Sequence, residues 1–79
     1  GEIMETLLKI LEELHPDVDF ENCETLIDDN ILDSFDIVTL VGEINEEYDI
    51  NIPPEELIPE NFNSAKSIYA LIERLIEEE

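Results

Sequence analysis

Apolar positions recur along this chain with the period of a helix in three places, and nowhere with the two-residue period of a strand. Over residues 2–14, Ile3, Leu7, Ile10, Leu11 and Leu14 fall at three- and four-residue spacing, and Met4 and Leu8 widen the stripe. His15-Pro16 ends that run, because proline disfavours helical geometry in the residue before it. His15 is expected to close the helix, where a protonated imidazole suits the negative end of the dipole.

Residues 15–33 carry no period. A connection of that length is uncommon in a small domain and is usually functional or disordered. Val18, Phe20, Leu26, Ile27, Ile31 and Leu32 predict a loop pinned to the core. Asp33 or Ser34 then caps a second helix running to about Tyr48, with Asp36 in its first turn. At about 100° per residue, Ile37, Leu40, Val41, Ile44 and Tyr48 share one face, assigned to the core. Phe35, Val38 and Gly42 lie opposite, beside Thr39 and Glu46. An exposed Phe and Val among carboxylates make a docking patch rather than a core.

Ile50 to Pro53 reads as an extended link. Pro54-Glu55-Glu56-Leu57 gives one short helical turn, limited by Pro59. Asn63 or Ser64 caps the last helix, residues 64–78, whose stripe is Ile68, Leu71, Ile72, Leu75 and Ile76. The expected fold is all-α: a small antiparallel bundle of three main helices plus one short helix, with a long first loop, built as one domain over residues 1–79. Gly42 sits mid-helix, where it costs about 1 kcal/mol relative to alanine. Both drift on an exposed face and close approach of another molecule account for it.

Charge narrows the partners. Three basic residues (Lys9, Lys66, Arg74) stand against 23 acidic ones, giving a net charge of −20. Such a field repels nucleic acid and anionic lipid, and speeds encounters with basic protein surfaces. Cys23 is the sole cysteine, so neither an internal disulfide nor a cysteine-based metal site is expected. A lone cysteine fits a reducing, cytoplasmic setting. No run of 18 apolar residues and no signal peptide is present, so no membrane insertion is expected. Gly1, without an initiator Met, is expected to be an expression remnant, and the chain is expected to be a monomer.

The chemistry that remains is one hydroxyl. Leu32-Asp33-Ser34-Phe35 places Ser34 where the loop gives way to the second helix. A phosphate ester formed there would meet unpaired N–H groups and the positive end of the dipole. An ordinary capping serine has the same position. Catalysis by Ser34 would need a base, and the only histidine lies in another segment. Asp17, Asp19, Glu21 and Asp28 follow the rhythm of a calcium loop, but Asn22 stands where the turn glycine belongs and Asp28 where a bidentate glutamate belongs. No specific metal site is expected.

Asp33-Ser34-Phe35, followed by Asp36-Ile37-Val38-Thr39-Leu40-Val41, resembles the acyl carrier protein family, whose second helix begins Asp-Ser-Leu. Glu46-Glu47-Tyr48-Asp49-Ile50-Asn51-Ile52-Pro53 is similar to that family's acidic helix end and apolar-Pro turn. Helix order and length extend the likeness over nearly the whole chain. The resemblance implies a 4′-phosphopantetheine arm on Ser34, transferred from coenzyme A by a Mg²⁺-dependent phosphopantetheinyl transferase, with Asp33 matching the aspartate before the modified serine. It implies a carrier rather than an enzyme: the terminal thiol shuttles thioester-bound acyl or aminoacyl groups between enzymes, as in fatty acid or polyketide-type synthesis. Asp36, Glu43, Glu46 and Glu47 would meet basic patches on the transferase, on a loading ligase and on acyl-processing enzymes; Phe35, Val38 and Gly42 would supply the rest of that contact.

Phe35, Thr39, Gly42 and Asn30-Ile31 depart from the fatty acid carrier pattern, at positions where Leu, Glu, an aliphatic residue and Gly are common. Leu32-Asp33-Ser34-Phe35 is also similar to D-alanyl carrier proteins, and Pro59-Glu60-Asn61-Phe62 to carriers loaded by adenylating ligases. A D-alanyl or other aminoacyl carrier is therefore the first alternative. A reading outside the family is an acidic interaction protein or nucleic-acid mimic, which explains the charge but not the place of Ser34.

Overall fold

The structure is a computed structural model and describes residues 2–78. Four α-helices follow in order: α1, Glu2–Leu14; α2, Ser34–Tyr48; α3, Pro59–Phe62; and α4, Ala65–Glu78. A 3₁₀ turn spans Pro54–Glu56. The described residues contain no strand.

The helices form where the apolar stripes predict. Leu7, Ile10 and Leu11 of α1, Leu40 and Ile44 of α2, and Ile68, Leu71, Ile72 and Leu75 of α4 are buried in one core. Two hydrogen bonds set the direction of α1 against α2. Tyr48 Oη, at the end of α2, donates to the Ile3 carbonyl at the start of α1 over 2.7 Å. At the other end, His15 Nε2 stands 2.8 Å from Asp36 Oδ2. The two helices are therefore antiparallel and tied at both ends.

The long loop is pinned as expected. Phe20, Leu26 and Leu32 are buried, and Val18, Ile27 and Ile31 pack against the core. Asn63, between α3 and α4, holds it from the other side. Its Oδ1 accepts the N–H groups of Ile27 and Asp28 over 2.9 and 3.1 Å, and its carbonyl accepts that of Leu26 over 2.9 Å. Asn30 turns the chain with φ 58°, a left-handed conformation that asparagine tolerates better than most residues. Asp49 plays the same part after α2, with φ 54° and its N–H bonded to the Asn45 carbonyl.

Two expectations need correction. Pro59 does not merely limit the turn before it; it occupies the first position of α3, where a missing N–H costs nothing. The link between α2 and α4 thus holds two short elements, not one. Ile76, assigned to the core stripe, is 38% exposed, because the packed part of α4 ends at Leu75. Of the two caps expected for α4, Ser64 is the one that forms: Ser64 Oγ accepts the Ser67 N–H over 3.0 Å.

Candidate functional site

The site is built around the start of α2. Asp33, not Ser34, is the cap. Its Oδ1 accepts the Asp36 N–H over 2.8 Å, and Asp36 Oδ2 reaches back to the Asp33 N–H over 3.3 Å. This reciprocal capping box satisfies two of the end groups that a helix leaves orphaned. Ser34 is the first residue of the helix and is exposed. Its hydroxyl makes no hydrogen bond among the described residues, and neither do the Ser34 and Phe35 N–H groups. A hydroxyl free of structural duty, beside two unpaired N–H groups at the positive end of a dipole, can accept a phosphate ester and stabilise its charge.

Asp36 is less exposed than Asp33, Ser34 and Phe35. The hydrogen bond from His15 holds its carboxyl below the ordinary 3.8, and the bonds to Asp33 act in the same direction, against the cost of partial burial. The sequence placed His15 at the end of α1 but missed this contact, which spans 21 residues.

The remaining expected residues sort by face. Phe35 and Val38 are 79% and 71% exposed. Gly42 is exposed, with open space where a Cβ would stand. Glu43, Glu46 and Glu47 are exposed and line a hollow between α1 and α2 shared with Lys9 and Glu13. They take no part in the His15–Asp36 contact or the Arg74–Glu56 ion pair.

Sequence reasoning also missed a groove of about 630 Å³ beside Ser34. Asp33, Ser34 and Val38 form one side, Leu57, Ile58 and Pro59 the other, and Phe62 belongs to its lining. Leu57 and Ile58, each 42% exposed, were readable as an apolar pair between two prolines. A clamp holds that wall. Arg74 donates to both Glu56 carboxylate oxygens over 2.9 and 3.0 Å, and Asn61 donates to the Glu56 carbonyl over 2.8 Å. The Arg74 guanidinium keeps the Glu56 carboxyl below its ordinary 4.5.

An exposed serine opening a capped helix, with a groove at its side, fits a carrier of a tethered group. The phosphopantetheine attachment site family matches residues 27–75, an interval that spans the capping box, Ser34 and the groove. The chain belongs to that family. It is a phosphopantetheine carrier, and the prosthetic group of the family is covalently attached 4′-phosphopantetheine.

Curated relatives of this carrier are named D-alanyl carrier proteins. One from Streptococcus suis is 34% identical over 76 residues, covering 95% of this chain and 96% of its own length. One from Streptococcus mutans is 35% identical, covering 85% and 86%. One from Lactococcus lactis subsp. cremoris is 31% identical, covering 85% and 80%. No helix among the described residues is long and apolar enough to cross a membrane.

Proposed function

We propose that Ser34 is the attachment point and that the carrier serves an adenylating ligase that loads a small aminoacyl group, D-alanine being the leading candidate. The observation that carries the attachment point is the exposed, unbonded Ser34 hydroxyl at the first position of α2. That the relatives are D-alanyl carrier proteins supports the cargo. In the loading step the Ser34 oxygen bonds to the phosphorus of coenzyme A's pantetheine phosphate. The pyrophosphate bond breaks, adenosine 3′,5′-bisphosphate leaves, and the hydroxyl proton passes to a base of the transferase. When bound, the arm supplies a terminal thiol for thioester carriage. The chain itself catalyses nothing in this reading. It acts as a cytoplasmic monomer whose exposed Phe35, Val38 and carboxylates meet basic partners.

A second reading replaces the aminoacyl cargo by a longer acyl chain, as in fatty acid or polyketide-type synthesis. The apolar lining of the groove beside Ser34, Val38 on one side and Leu57 and Ile58 on the other, supports it.

Incubation with coenzyme A and a broad-specificity transferase tests the attachment point. The intact mass is expected to rise by one phosphopantetheine, and Ser34→Ala to abolish the gain; a gain that persists in Ser34→Ala rejects the site. Offering the loaded carrier D-alanine with its ligase, or a fatty acid with an acyl ligase, then separates the cargo readings by the mass of the thioester.

A further inference from the structure

We infer that His15 is a positioning residue for the modification of Ser34, acting through Asp36; this rests on Ser34 being the attachment point. Asp36 Oδ2 makes two contacts. It lies 2.8 Å from His15 Nε2 and 3.3 Å from the Asp33 N–H. The contact to the backbone is the longer one, near the limit of a useful hydrogen bond. His15 thus supplies the firmer of the two anchors for the carboxylate that closes the capping box. Ser34 lies inside that box, directly after Asp33 and two residues before Asp36. Neither its hydroxyl nor its own N–H is tied down among the described residues. Its orientation is therefore set by the backbone at Asp33 and Asp36, which the 2.8 Å bond from the Asp36 N–H to Asp33 Oδ1 holds from within α2 and to which His15 adds an anchor from the end of α1.

An acceptor hydroxyl must be presented to the transferase in one direction. Order already present in the free carrier does not have to be imposed when the two proteins dock. Removing the imidazole leaves the Asp36 carboxylate held by one long contact, loosens the turn that bears Ser34, and slows its modification. The carrier's own fold provides a control. Tyr48–Ile3 ties the same two helices at their other end, so Tyr48→Phe weakens the α1–α2 pairing without touching the capping box.

The test compares wild type, His15→Ala, His15→Gln and Tyr48→Phe as transferase substrates, each first shown to be folded by circular dichroism. Amide hydrogen exchange at Asp33 and Asp36 is measured alongside. For His15→Ala, kcat/KM is expected to fall about fivefold, the factor that corresponds to one lost helix cap, and the Asp33 and Asp36 amides to exchange faster. Glutamine, which can donate from a similar position, is expected to restore both within about twofold. Tyr48→Phe is expected to leave both unchanged. The inference is overturned if His15→Ala modifies at the wild-type rate, if glutamine rescues nothing, or if Tyr48→Phe loses as much as His15→Ala. Wild-type protein left unmodified would instead remove the Ser34 reading, and this inference with it.

Discussion

His15 Nε2 and Asp36 Oδ2, 2.8 Å apart, join the residue that follows the first helix to the first turn of the second. The pair lies at the end of the molecule where Ser34 is presented. It also makes the start of α2 sensitive to acid. Bonded to His15, the Asp36 carboxyl titrates below its ordinary 3.8. An unfolded chain takes up that proton at the ordinary value.

The folded state is therefore favoured above 3.8, and the contribution is lost as pH falls through the lower folded value. Asp36→Asn keeps the shape and removes the charge. We expect it to lower stability at neutral pH by about 0.5–1 kcal/mol, the worth of a weakened cap. Urea unfolding curves recorded from about pH 7 to about pH 3 should show the two proteins converging at the acid end. A constant gap across that range would mean that the Asp36 charge has no such linkage.

What could be read from the chain was what is local. The stripes through Leu7 and Leu11, Leu40 and Ile44, and Ile68 and Leu75 each declare their helix within a few turns, and all six residues are buried. The start of α2 was legible because a capping residue precedes an amphipathic run. Contacts between segments were not legible. His15 meets Asp36 across 21 residues, and Asn63 holds Ile27 across 36; neither pairing leaves a periodic trace. Pro59 misled for a different reason: proline both stops one helix and suits the first position of the next. The groove wall at Leu57 and Ile58 became visible only once Glu56, Arg74 and Asn61 fixed where that segment lies.

Gly42 offers a cleaner test of what its helix face is for. A Cβ built there meets nothing within 4 Å, and the residue lies mid-helix with no positive φ. Alanine should therefore stabilise the carrier by about 0.4–1 kcal/mol, mainly by restricting the unfolded chain. The urea midpoint should rise with an unchanged slope. If transferase or ligase approaches the backbone at Gly42, the same substitution raises KM while stability improves. A more stable protein with unaltered KM would assign the glycine to drift on an open face.

The charge of −20 should pull stability and recognition in opposite directions. The basic side chains in contact with carboxylates among the described residues are His15 with Asp36 and Arg74 with Glu56, so most carboxylates face solvent without a cation. Their mutual repulsion opposes the compact state, and added salt screens it. The melting temperature should therefore rise with sodium chloride, and also with Mg²⁺. Encounter with a basic partner depends on the same unscreened field, through Glu43, Glu46 and Glu47 on the exposed side of α2. The second-order rate of modification should then fall over the salt range in which the protein becomes more stable. Measuring both on one sample excludes unfolding as the cause of the slower rate. If the rate held constant while the melting temperature climbed, the carboxylates of α2 would be solvated surface and not a guide for partners.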